Sequence, residues 1–250
     1  MNKSLILHCL KITSPVFFGY ITIGIGFGIL FVDAGYPWWL TPVSSLFMFT
    51  GAGQYFAVAL FAGGATLGEI LLVEFLLSIR HVIYGLSLIS KYSGAGLRKP
   101  YMIFGITDET FALVQTADVP DGMNKFKFYT LVSLLDHSYW FFGTLAGAVG
   151  FSILKKYNLD EYFQGVDFAL TSLFVVLLIG QIQATKDWFA AVLGGLASVC
   201  AVVLYRFGIF DSSSIIWTAI CAALGVMLLV RGPAFFKMKA DFVSGEEKTC

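Results

Sequence analysis

Of 250 residues, 58% are hydrophobic, 16% aromatic and only 13% charged, about half the charge of an ordinary soluble domain. A mean hydropathy of +0.81, with repeated apolar runs, fits helices crossing a hydrocarbon layer about 30 Å thick, so the fold class is all-α, a polytopic helical membrane protein. Sixteen basic and sixteen acidic residues cancel, which excludes the basic field that nucleic acid requires; about eight runs of roughly 20 residues leave no room for an appended ATPase or kinase module.

The first run, 15–32, follows Lys3 and Lys11 with no small-residue cleavage site, and is expected to remain as a signal anchor. Its Gly24, Gly26 and Gly28 read as helix-packing positions. The second run, 38–62, is interrupted by Thr50-Gly51-Ala52-Gly53-Gln54. Two glycines in mid-span let the backbone unwind and expose amide donors at the start of a half-helix, which attracts a carboxylate. A broken or re-entrant helix is tolerated at that depth only where protein or a water-filled cavity surrounds it. Close packing through small residues would explain the glycines equally well, but not Gln54.

In the third run, 67–90, Glu74, Ser78, His81 and Gly85 share one helical face, with Arg80 beside them. A carboxylate and an imidazole on one stripe can exchange protons, or can hold helices together as a structural network. Glu69 reads as a first-turn acid. The fourth run, 100–116, is short and carries Thr107-Asp108-Glu109-Thr110. Either carboxylate could face a substrate ammonium, and Thr107 could equally cap a helix with an acidic first turn. The run is therefore a second place for a broken helix.

The fifth run, 127–153, contains Asp136-His137-Ser138-Tyr139-Trp140, in which consecutive positions do not share a face. His137 reads as a satisfied packing residue. The remaining runs are 166–183, 187–205 and 213–231, giving seven to eight elements in all. Trp38, Trp39, Trp188 and Trp217 lie near span ends, as interfacial anchors do. Lys and Arg are in modest excess on the side that carries both termini, which places the termini in the cytoplasm.

Gly19 to Leu30 (GYITIGIGFGIL) is echoed by Gly143 to Leu154 (GTLAGAVGFSIL), and Ser45-Leu46-Phe47 with Gly53-Gln54 by Ser172-Leu173-Phe174 with Gly180-Gln181. Such offsets suggest one transmembrane domain, 1–250, built from repeat halves of about 15–116 and 127–231, as transporters often are. Cys9, Cys200, Cys221 and Cys250 form no C-x-x-C or His/Cys cluster, so no metal site is expected. No nucleotide-binding, hydrolase or metalloprotease string occurs either. No cofactor is expected.

These landmarks together resemble the AzlC-type branched-chain amino acid permease family, the large subunit of a two-component exporter, over residues 15 to 230. They are Gly26 to Gly28, the string at Phe49 to Tyr55, that at Ser78 to Tyr84, the T-D-E-x-F-A-L string at Thr107 to Leu113, and G-x-D-F-A-L-x-x-L-F at Gly165 to Phe174. Ser78, Thr50 and Tyr55 depart from the residues usual there. The resemblance implies export of valine, leucine, isoleucine or methionine across the cell (inner) membrane, with a small AzlD-like membrane subunit.

The residues themselves suggest a mid-membrane site for a zwitterion. Thr50, Gly51, Ala52, Gly53 and Gln54 would receive the carboxylate and Asp108 or Glu109 the ammonium, while Glu74, Arg80 and His81 would couple transport to protons. That reading requires positions 50–54, 74–81 and 107–109 to converge on a shared hydrated pocket. A membrane-embedded enzyme using Glu74, His81 and Asp108, or a channel or receptor scaffold, are the rival classes.

Overall fold

A computed structural model describes residues 3–117, 119, 123–159, 161, 186, 188–209 and scattered positions between 175 and 230. Among them there are helices and turns and no strand. The chain forms two compact units, residues 1–174 and 175–250. In the first, α1 is Lys3–Asp33, α2 Leu40–Phe47, α3 Gly51–Ala62, α4 Leu67–Ser87, α5 Lys99–Phe104, α6 Asp108–Thr116 and α7 Lys125–Lys156. In the second, α8 is Phe189–Arg206. The runs expected at 166–183 and 213–231, the landmark at Gly165 to Phe174 and the second part of the internal echo lie mostly or wholly outside the described residues.

Helices α1, α4 and α8 are each long and apolar enough to cross a membrane. With 31 and 32 residues, α1 and α7 span about 46–48 Å, so both overshoot the hydrocarbon layer. That length explains why α1 begins at Lys3 rather than at position 15, since its charged first turns can lie beyond the apolar region. Pro15 lies inside α1 without ending it, as membrane helices allow.

Both suspect runs are discontinuous. Between α2 and α3, Met48 and Thr50 leave helical geometry at φ −124°, ψ 80° and φ −144°, ψ 87°. Between α5 and α6, extended Thr107 (φ −117°, ψ 178°) caps the new helix by accepting from the Thr110 amide at 3.2 Å. Opposite that break, a Cβ added to Gly105 would stand 3.0 Å from Ser133 Cβ of α7, so the interruption packs closely on the neighbouring helix.

α4 starts with a capping box: Thr66 and Glu69 each bond the other's backbone amide. Thr66→Ala is expected to lower stability by about 1 kcal/mol, read as a lower midpoint in denaturant titration of the detergent-solubilised protein. Farther along α4, Ile70 and Val73 are buried and Leu72, Glu74, Leu76, Leu77, Ser78, Arg80, His81, Tyr84 and Gly85 are half-buried, while Leu71, Phe75, Ile79, Val82 and Leu86 are exposed. The polar residues thus lie on the more buried side of α4 and the most exposed positions are apolar, the arrangement a membrane favours.

α1 and α7 cross through their glycines. A Cβ added at Gly28 would strike the backbone of Thr144 and Ala148, and one at Gly147 the backbone of Ile25. Gly24 and Gly143 make the next contact along the same seam, with added Cβ atoms 3.0 Å from Thr144 N and 2.9 Å from Tyr20 O. Each helix contributes a G-x-x-x-G pair, the spacing that lets membrane helices touch backbone to backbone. The two echoed segments are therefore direct packing partners, whatever their ancestry.

Candidate functional site

One turn of α7 meets all four half-helices. Asp136, His137 and Trp140 occupy i, i+1 and i+4, and all three are buried. Trp140 Nε1 donates to Gln54 Oε1 of α3 at 2.6 Å. His137 Nε2 lies 3.1 Å from the Ser45 carbonyl of α2, and its Nδ1 lies 3.1 Å from Tyr101 OH of α5. Asp136 Oδ2 accepts from Thr110 Oγ1 of α6 at 2.7 Å. Both interruptions are thereby fastened to a single level of one continuous helix. The reading of His137 as satisfied agrees with these contacts; Trp140, by contrast, has its indole N–H spent on the break.

Around the first break, Gln54 Nε2 donates to Ser44 Oγ and Ser45 Oγ, each at 3.1 Å. With Trp140 the Gln54 amide is satisfied at both ends, so its role is to close the interrupted segment onto α7. Gly53 lies against Glu74: a Cβ there would collide with Glu74 Oε2 and come 2.9 Å from Thr50 Cγ2. Both carboxyl oxygens of Glu74 are buried and without a hydrogen-bond partner among the described residues. An acid of α4 thus stands beside the first turn of α3, whose opening amides lack helical partners and carry the positive end of the helix dipole.

Around the second break, Arg80 Nη1 pairs with Asp108 Oδ2 at 2.7 Å, and Tyr84 OH donates to Asp108 Oδ1 at 2.6 Å. Asp108 is therefore already engaged by α4. Glu109 Oε2 accepts from Tyr20 OH of α1 at 2.6 Å. The far end of α6 is held too, because Lys91 Nζ donates to the carbonyls of Val114 and Gln115 at 3.0 and 2.9 Å, the last-turn acceptors that a cation suits. Thr107 does cap an acidic first turn, and the same turn also reaches α1 and α4.

The three stretches are in contact rather than scattered. Gly53 touches Glu74, Arg80 touches Asp108, and Tyr20 joins them: its ring lies 6.1 Å from Phe49 and 5.7 Å from Trp140, while its hydroxyl reaches Thr107 and Glu109. Within the stripe, no hydrogen bond links Glu74 to His81, whose ring instead stands edge-on to Tyr84 at 6.1 Å. Tyr20 and Tyr84 are additions that the sequence alone did not single out, and Asp136 and Trp140, named there within one string, were given no role. Aromatic residues in apolar runs read as packing, and only contacts 24 to 89 residues apart reveal the hydroxyls of Tyr20 and Tyr84 and the N–H of Trp140 at work.

Next to the first break, between α1, α2 and α3, lies a cavity of about 320 Å³. Phe27, Phe31, Leu40 and Val58 give it apolar walls, and Tyr36, Ser44 and Gln54 are the polar residues that line it. Its size and chemistry are those of a small-molecule pocket.

A sequence profile of the family described as AzlC protein matches residues 15–154. The chain is 33% identical over 221 residues to the "Branched-chain amino acid transport protein AzlC" of Bacillus subtilis, covering 88% of this chain and 83% of that protein. It is also 33% identical over 193 residues to an "Uncharacterized membrane protein" of Helicobacter pylori, strain 26695, covering 77% and 82%. It is 30% identical over 200 residues to the "Inner membrane protein YgaZ" of Escherichia coli, covering 76% and 79%. No solved structure matches the chain. With helices able to cross a bilayer and a match that runs from within α1 to near the end of α7, the chain is a multi-pass membrane protein that belongs to the AzlC family.

Proposed function

We infer that this protein is a secondary carrier, not an enzyme, that exports branched-chain or other hydrophobic amino acids across the cell membrane in exchange for protons. The observation that carries this reading is the fastening of two interrupted helices, each with polar groups at its break, to Asp136, His137 and Trp140 of α7. Interrupted helices of this kind supply backbone donors to anionic groups in transporters.

In this reading the amides of Gly51, Ala52 and Gly53 receive the substrate carboxylate, with Thr50 at the cap; the Gln54 amide is already given to the Thr50 carbonyl at 2.9 Å. The cavity beside them takes the apolar side chain. Glu109, held by one tyrosine hydroxyl, is the better partner for the ammonium than Asp108, which Arg80 and Tyr84 already occupy. Glu74 competes with the substrate for the start of α3, since two carboxylates cannot share it at low cost. With Arg80 and His81 it forms the proton-coupling set. A small AzlD-like subunit completes the exporter; a coexpressed polypeptide of roughly 100 residues with three or four apolar spans would copurify with it.

Counterflow of labelled leucine in vesicles containing the purified protein tests the carrier, because a channel cannot exchange substrate against a gradient. Glu109→Gln is expected to reduce counterflow by about ten- to a hundredfold, the worth of a charged hydrogen bond, and Asp108→Asn to reduce it through release of Arg80. Normal counterflow in both variants would remove the acidic pair from the site. A chemically altered product would favour the enzyme reading instead.

A further inference from the structure

Four hydrogen bonds run without interruption from Glu109 to Asp136. Tyr20 OH lies 2.6 Å from Glu109 Oε2 and 2.7 Å from Thr107 Oγ1. Thr107 Oγ1 lies 3.1 Å from Thr110 Oγ1, which lies 2.7 Å from Asp136 Oδ2. Tyr20, Thr107, Thr110 and Asp136 are buried, so the chain is shielded from water along most of its length.

The hydrogens decide what this geometry requires. Four links need four protons, and the three hydroxyls bring three. If both carboxyl groups were ionised, one link would set two oxygens lone pair to lone pair at hydrogen-bond distance, and the Tyr20 hydroxyl would face two acceptors with one hydrogen. Distances of 2.6 and 2.7 Å at the two carboxyl ends are those of short O–H···O links, each of which needs a hydrogen between its oxygens. A fourth proton, on one carboxyl or the other, completes every link.

We propose that Asp136 and Glu109 share one dissociable proton through Tyr20, Thr107 and Thr110, making Asp136 a buried proton store for the transport site. In one arrangement Glu109 is the acid and each hydroxyl donates toward Asp136. In the other, each of the four hydrogens has moved one oxygen along: four O–H bonds break, four form, no hydroxyl gains or loses a hydrogen overall, and Asp136 is the acid. A cation arriving at Glu109 favours the second arrangement. Among the described residues, the titratable and charged groups around the pair are Tyr20 of α1, Arg80, His81 and Tyr84 of α4, Tyr101 of α5, Asp108 of α6, and His137 and Tyr139 of α7. None of them is an acid or base bonded to Asp136, so the hydroxyl chain is its connection to Glu109.

This inference rests on the proton-exchanging carrier reading for its purpose but not for its existence, and two measurements separate the two. Infrared spectra of the full-length protein in vesicles at neutral pH are expected to show a deuterium-sensitive carboxylic C=O band that is lost in the double variant E109Q/D136N. Identical spectra would overturn the shared proton. In transport, Thr110→Val cuts the chain at its centre and Thr110→Ser restores it. The ratio of proton-driven leucine movement to leucine counterflow is expected to fall by at least about tenfold in T110V and to return in T110S. An unchanged ratio in T110V would overturn the relay. Should T110V lose both activities, the infrared comparison decides; should the wild type show no counterflow, the carrier reading fails while the band still tests the proton.

Discussion

Gly147→Leu is expected to abolish the folded protein, whereas Gly150→Leu, three residues on in the same helix, is tolerated. A Cβ at 147 meets the backbone of Ile25, while one at 150 meets no atom within 4 Å. Backbone cannot swing aside as a side-chain end can, so leucine at 147 must push α1 from α7 and undo the neighbouring contacts at Gly24, Gly28 and Gly143. Overpacking in a well-filled core costs about 1–3 kcal/mol, and separation of a glycine crossing adds the lost contacts along the seam. Replacement at 150 is expected to stay within about 0.5 kcal/mol of the parent. The fraction recovered as a monodisperse species from detergent, followed by thermal unfolding, separates the two; equal behaviour would mean the crossing is not what holds the fold.

Gly53→Leu is the second large effect, and it falls on transport more than on folding. The atoms a Cβ at 53 would displace are the carboxyl of Glu74 and the side-chain methyl and hydroxyl of Thr50, all of them side-chain atoms. The Gln54 amide, pointing to Ser44, Ser45 and Trp140, is left in place. G53L is therefore expected to insert and purify normally while leucine counterflow falls by about tenfold or more, the cost of losing a charged hydrogen-bond partner. Normal counterflow would remove the opening amides of α3 from the substrate site. In Gly53→Ala/Glu74→Ala, where space for the methyl group is restored, counterflow is expected to recover while its dependence on pH does not.

Local chemistry made the interruptions legible. Thr-Gly-Ala-Gly in mid-run and Thr-Asp-Glu in a short apolar segment both mark a helix start, and helices begin at Gly51 and Asp108. Periodicity likewise identified the inward stripe of α4, because charge at that depth must face protein. What one dimension hid was partnership. Arg80 beside Glu74 and His81 suggested a local cluster, yet its guanidinium goes to Asp108 on another helix. Asp136 and His137, adjacent in sequence, were set aside because neighbours in a helix point apart; that divergence is what lets them reach Thr110 of α6 and Ser45 of α2 separately. Tyr20 carries no polar neighbour in sequence to announce it, and its contacts to Thr107 and Glu109 exist only through tertiary packing.

The glycine seam also constrains how access can alternate. Two helices touching main chain to main chain cannot slide or tilt against each other without breaking that contact, so in the proposed carrier α1 and α7 would move as one rigid spine carrying the Tyr20 and Asp136 anchors with it. The parts that would move in that carrier are those attached by side chains, α4 among them, joined to its neighbours through Arg80 and Tyr84 to Asp108, the Glu74 carboxyl resting on Gly53 and the packing of Ile70 and Val73 on Leu60. A covalent cross-link between α1 and α7 would leave the transport cycle running, and one between α3 and α4 would arrest it.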